Sequence, residues 1–160
     1  MNGKILVLGA NGTVGRHLVP ALLARGEVVK AASRHGVAPQ GAEGVVFDYA
    51  NPASYAPALD GVDRAYLMLP TGHVESRELL LPVVDALVAR RVKIVFQSVL
   101  GVDADDAIPY RQVELAIERS GTTFVILRPN WFADNFHTFW KAGLDHGQIA
   151  LPAAQGRSSF

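Results

Sequence analysis

One stretch near the N-terminus restricts the possible folds more than any other. An apolar run, Ile5-Leu6-Val7-Leu8, ends in Gly9-Ala10-Asn11-Gly12-Thr13-Val14-Gly15 and passes directly into a helical pattern. The order is strand, glycine turn, helix. Gly9 permits a tight turn, Gly12 lets backbone approach a pyrophosphate, and Gly15 lets the helix pack closely on the strand. Exposed amides and the positive end of the helix dipole then face an anion. The spacing is Gly-x-x-Gly-x-x-Gly rather than the commoner Gly-x-Gly-x-x-Gly, and glycines alone also suit an ordinary strand-to-helix turn. The flanking strand and amphipathic helix are the context that a dinucleotide site requires.

The rest of the chain alternates in the same manner. The first helical pattern closes at Arg25-Gly26, with Pro20 inside it as a source of a slight kink. Strands are predicted over residues 27–33, 44–47, 63–69, 93–98 and 122–128, and helices over 52–59, 74–91 and 109–120. Pro82 should bend the longest of these, and 149–152 reads as a short edge strand. Strand and helix alternating through short connections predict a doubly wound parallel α/β sheet. Right-handed crossovers bring the strand ends and the glycine turn to one crevice. The whole of 1–160 reads as one such domain, with 129–160 beginning a further region.

Composition narrows the partners. Fifteen basic residues balance fifteen acidic ones, so no net field draws the chain to nucleic acid or an anionic membrane. The aromatic residues Trp131, Phe132, Phe136, Phe139 and Trp140 are therefore expected to pack a helix or close a cavity rather than stack bases. There is no cysteine, which excludes disulfides and thiolate metal sites. The five histidines share no ligand spacing, so no metal is expected. Ser98 lacks a Gly-x-Ser-x-Gly elbow, and the glycine turn lacks the Gly-Lys-Ser/Thr ending of a nucleoside-triphosphate loop. No apolar run reaches the ~20 residues of a membrane span, and Met1 leaves no room for a leader before the first strand. The expected location is the cytoplasm.

Two positions point to the kind of dinucleotide. NAD-selective sites hold the ribose hydroxyls with a carboxylate about 20 residues past the glycine turn. Here the second strand ends in Ser33-Arg34, with no acid, and a guanidinium can grip a 2′-phosphate by forked hydrogen bonds. NADP(H) is thus expected over NAD(H), against the alternative of a solvated loop arginine. Asp48, with Tyr49 beside it, falls where a third strand borders an adenine. Either Asp48 accepts a hydrogen bond from the base, or Asp48 or Asn51 caps the helix that follows.

The glycine turn together with Ser120-Gly121, Thr123-Phe124-Val125-Ile126-Leu127-Arg128-Pro129, Phe132 and Asn135 resembles the atypical short-chain dehydrogenase/reductases, especially the NmrA-like group. The resemblance covers essentially the whole chain. It implies an NADPH-dependent oxidoreductase acting on a quinone or similar small carbonyl. The alternative within the group is a non-catalytic NADP-binding redox sensor acting through a protein partner. Gly9, Asn11, Gly12, Thr13, Val14 and Gly15 would hold the pyrophosphate, and Ser33 with Arg34 the 2′-phosphate. Leu69, Pro70, Thr71 and Ser98 would line the nicotinamide side. Carbonyl-reducing members use Ser, Tyr and a Lys four residues after the Tyr. Ser98 and Tyr110 occupy the first two positions, but Glu114 stands at the third, where a carboxylate would tend to raise a phenol's pKa. The group also usually continues for on the order of a hundred residues into a substrate-binding region. The C-terminal part is therefore expected to be truncated here, exposing apolar surface that favours a homo-oligomer.

Overall fold

Four successive residues, Ile5, Leu6, Val7 and Leu8, are buried, as a strand covered on both faces requires. They make β1 (Lys4–Leu8) a central strand of a computed structural model that describes residues 3–70 and 72–148. With β2 (Val29–Ser33), β3 (Glu43–Val46), β4 (Val62–Met68), β5 (Lys93–Gln97) and β6 (Phe124–Leu127), it forms one sheet in the order β3-β2-β1-β4-β5-β6. Every pairing is parallel, and the register sets Val7 between Ala31 of β2 and Tyr66 of β4. The marginal strands β3 and β6 are the ones whose residues are mostly exposed.

Alternation along the strands divides the core in two. One face carries α1 (Gly15–Leu23) over Ile5, Val7, Val29, Ala31 and Tyr66. The opposite face carries α2 (Tyr55–Ala58), α3 (Ser76–Ala89) and α4 (Pro109–Arg119), packed over residues such as Leu6, Leu8, Leu67, Ile94 and Phe96. The apolar stripe of α3 supplies Leu80, Val83, Val84 and Leu87 to that side, all buried. The helix is shorter than the 74–91 predicted. Val74 stands 82% exposed before its first turn. At the other end Arg91 takes a left-handed φ of 57°, and Val92 N–H returns to Leu87 O at 3.0 Å, which stops the helix. Both α1 and α3 run on through their prolines.

A charged group within this core escaped the sequence reading. Lys30 lies mid-strand in β2, 2% exposed, and its Nζ donates to Pro57 O at 3.0 Å and Asp60 O at 2.9 Å. Its ammonium thus satisfies carbonyls at the end of α2, with the Glu43 carboxylate 3.7 Å away.

The chain divides into two compact units, Met1–Pro129 and Asn130–Phe160. The second contains a 3-10 turn, Ala133–Phe136, and α5 (Lys141–Asp145). There four of the five predicted aromatic residues gather on one another: Trp140 is ringed by Phe136 at 5.2 Å, Trp131 at 5.3 Å and Phe139 at 6.5 Å. The strand expected over 149–152 lies outside the described residues, as does Thr71. Among the described residues, no helix is long and apolar enough to cross a membrane.

Candidate dinucleotide site

The glycine turn owes its shape to two positions. Gly9 has φ +69°, a conformation that side chains disfavour, and a Cβ there would lie 2.9 Å from Met68 Sδ. Gly15 opens α1 so close to the turn that a Cβ would meet Gly9 O at 2.2 Å and Ala10 Cα at 2.6 Å. Close helix–strand packing therefore depends on the absence of that carbon. Replacement of Gly15 by Ala is expected to destabilise the fold by about 2 kcal/mol or more, because the colliding atoms are backbone. Thermal melting of the variant checks this; an unchanged melting temperature would contradict the packing.

The turn is internally braced. Gly12 N–H donates to Gly9 O at 2.9 Å, Arg16 N–H to Gly12 O at 3.0 Å and Leu18 N–H to Val14 O at 2.9 Å. Among the described residues, the amides of Asn11, Thr13, Val14 and Gly15 donate to no protein acceptor. A helix start with unsatisfied N–H groups is the arrangement that binds a phosphate.

In front of this turn, along the C-terminal edge of the sheet, runs a cleft of about 350 Å³. Gly9, Asn11 and Gly12 line it from the turn, Ser33 and Arg34 from the end of β2, Asp48 and Tyr49 from beyond β3, and Pro70 from beyond β4. Eight predicted residues from four separate loops thus meet in one cavity. Thr13, Val14, Gly15, Leu69 and Ser98 do not reach its wall. The cleft also takes in Ala32, Phe47, Ala50, Met68, His73 and Leu79, which the sequence reading missed. Phe47 and Met68 end or follow apolar strands, and strand-end residues at the carboxyl edge were the available signal.

Polar contacts define what each wall offers. The Asn11 carboxamide and the Ser33 hydroxyl both donate to Val37 O, at 3.1 and 3.2 Å. Arg34 is exposed and has no ion-pair or hydrogen-bond partner among the described residues. The carboxylate that lines the cleft is Asp48, whose Oδ1 accepts from Ala50 N–H at 3.0 Å. The cap on the following 3-10 turn, Pro52–Ser54, comes from Asn51, whose Oδ1 accepts from Ala53 N–H at 3.2 Å. The second oxygen of Asp48 has no hydrogen-bond partner among the described residues. Tyr49 is held in place by its hydroxyl, which donates to Met68 O at 2.7 Å, and by edge contact with Phe47 at 5.1 Å. Burial, with neighbouring Tyr66 and Tyr55, pushes the Tyr49 phenol well above its usual range. It stays a neutral hydrogen-bonding ring.

The residues at the catalytic positions of the resembling family lie on the α4 side. Ser98 follows β5, 2% exposed, and its Oγ makes no well-directed hydrogen bond. Tyr110, half-buried at the start of α4, stacks on Phe96 with ring centres 6.2 Å apart. Its phenol is raised above the ordinary value by burial; the Glu114 carboxylate expected to do this is not the cause. Glu114 is turned away into a network of its own. Fully buried, it accepts from Arg128 Nε at 2.9 Å, Arg128 Nη2 at 2.8 Å and Arg111 Nη1 at 2.9 Å. Burial alone would raise its pKa. The Arg128 bonds, the nearby Ser98 hydroxyl and Arg111 outweigh that and hold it at about 2. Where carbonyl reductases keep a cation beside the tyrosine, this protein has a structural anion already satisfied.

A parallel sheet in the order 3-2-1-4-5-6, with a glycine turn opening onto its carboxyl edge, defines a dinucleotide-binding fold of the Rossmann type. The chain belongs to the NAD(P)H-binding family, whose model matches residues 9–149. It is similar to prestalk A differentiation protein A of Dictyostelium discoideum, with 31% identity over 163 residues, 95% of this chain and 53% of that protein. It is also similar to quinone oxidoreductase 2 of Escherichia coli, at 26% identity over 96% of this chain and 57% of the relative. Among solved structures, the NADPH-dependent quinone oxidoreductase of Escherichia coli complexed with NADPH superposes with a TM-score of 0.76. The identity is 25%, over 89% of this chain and 54% of that one. The last two are quinone oxidoreductases by name, in keeping with the motif resemblance. The chain spans about half the length of the curated relatives it matches.

Proposed function

We propose that the protein is an NADPH-dependent oxidoreductase that reduces a quinone or a similar small electrophilic carbonyl. The observation that carries the cofactor half is the cleft's end at β2. A cation with no partner of its own, Arg34, stands there beside Ser33, where a carboxylate would select NAD. The unsatisfied amides of residues 11 and 13–15 suit a pyrophosphate, and the unpartnered Asp48 oxygen with the Tyr49 ring suits an adenine. Leu69, Pro70, Thr71 and Ser98 are assigned to the nicotinamide side. The bound cofactor supplies a hydride; this chain's residues supply its placement. With no cation acting on Tyr110 among the described residues and a phenol raised by burial, Tyr110 is a weak acid. Catalysis in this reading rests on positioning, with Tyr110 and Ser98 as hydrogen-bond donors to the substrate oxygen and water completing protonation. The unit from Asn130 onward begins the substrate-binding region. The relative named as a quinone oxidoreductase supports the substrate class.

Parallel calorimetric titrations with NADPH, NADP⁺, NADH and NAD⁺, followed by turnover assays with quinones, test the reading. Tight NADPH binding, weak NADH binding and quinone-dependent oxidation are expected. The weak acid at Tyr110 also favours a second reading, an NADP-binding redox sensor. Binding confined to the oxidised cofactors, with no turnover, would select it.

A further inference from the structure

Two loops that meet different parts of a dinucleotide are joined at a single atom. The Val37 carbonyl accepts from Asn11 Nδ2, which belongs to the glycine turn, and from Ser33 Oγ, which ends β2. A carbonyl oxygen has two lone pairs, so both are used. The segment between Ser33 and Val37 is braced further. Ser33 O accepts from Gly36 N–H at 3.3 Å and Phe47 N–H at 3.0 Å. Gly36 O lies so close over β3 that a Cβ on Gly44 would meet it at 2.1 Å. Arg34 is the side chain this braced turn presents to the cleft.

We infer that Asn11 is a positioning residue for the 2′-phosphate: its side chain fixes the Arg34 turn, and only its backbone amide serves the pyrophosphate. The inference rests on the NADPH reading above. An arginine on an unbraced loop must order its backbone as well as its own rotamers on binding, and a prior tie removes the backbone share of that cost. The Asn11 carboxamide keeps a second N–H beside the one given to Val37, so the two roles must be separated by ligand.

Two fragments separate the roles. Adenosine 2′-phosphate carries the 2′-phosphate without a pyrophosphate, and ADP carries the reverse. Calorimetric titration of wild type, Asn11→Ala, Asn11→Ser and Arg34→Ala with each fragment is the experiment. Asn11 is exposed, and unchanged melting curves will confirm that the variants fold. Asn11→Ala and Asn11→Ser are expected to lose about fivefold in affinity for adenosine 2′-phosphate, the worth of one hydrogen bond, with ADP affinity held within about twofold. Amide exchange across 34–37 should accelerate in the unliganded variants. Equal loss for both fragments would overturn the inference and make the Asn11 side chain a pyrophosphate ligand; so would no loss for either. If Arg34→Ala leaves adenosine 2′-phosphate binding intact, the 2′-phosphate reading itself has failed, and this inference falls with it. An Arg34-dependent affinity that ignores Asn11 would overturn the inference alone.

Discussion

On the proposed NADPH reading, Arg34→Asp should reverse the cofactor preference. NADPH affinity is expected to fall on the order of a hundredfold, about 3 kcal/mol, because a charge-assisted contact is lost and a carboxylate is set against the 2′-phosphate. NADH affinity should hold or improve, since an acid at this position can accept from the ribose hydroxyls. The large effect follows from the absence of any other partner for Arg34 among the described residues: nothing in the fold depends on it, and its loss should act on binding alone. Titration of the variant with both reduced cofactors gives the answer. Equal weakening of the two would remove Arg34 from the 2′-phosphate.

The second large effect concerns stability. Glu114 is a fully buried carboxylate holding two guanidiniums, and those in turn reach Asp103, Asp106 and Glu118. Through it, α4 is tied to the end of β6. Glu114→Ala would leave Arg128 and Arg111 facing a cavity, and is expected to cost about 3 kcal/mol, lowering the melting temperature by about 10 °C. The same group predicts the acid behaviour. Its carboxyl is held at about 2 against an ordinary 4.5, so between those values the unfolded chain binds the proton and the folded chain does not. The stability contribution is therefore complete above about pH 5 and is lost as pH falls towards 2, again about 3 kcal/mol. Glu27 with Arg64 and Glu43 with Lys4 are depressed as well and add to the acid slope. Glu114→Gln isolates the buried share, and denaturant unfolding from pH 7 down to pH 3 should give a visibly flatter profile than wild type. Parallel profiles would place the tie elsewhere.

The sheet was legible in the sequence because a parallel α/β fold writes itself in simple terms: continuous apolar runs for covered strands, a stripe for each helix, glycine at the turns. β1 and α3 show this plainly, differing from expectation only at helix ends. There, Arg91 adopts a glycine-like conformation that its side chain does not advertise. The cleft was legible where topology alone brings loops together, which is why Gly9, Arg34, Asp48 and Pro70 meet. What lay beyond the sequence was orientation. Nothing in Asn11 or Val37 announces that one donates to the other. The contrast between Glu114 and the lysine of related reductases could be read by position, but not that Arg128, 14 residues on, would claim the carboxylate. Lys30 was invisible for the same reason, since an apolar strand interior gives no notice that an ammonium will find two carbonyls within it.

That buried lysine makes the molecule its own gauge of local opening. An amine-modifying reagent needs an accessible nitrogen, and Lys30 Nζ is buried while it donates to Pro57 and Asp60. Lys141, ion-paired with Asp145 but exposed, is expected to be labelled far faster. Lys30 will be labelled only in those moments when the segment ending α2 lifts from the sheet. Its slow reaction, read by mass, reports how often that segment comes away from the sheet and whether a bound nucleotide slows the event.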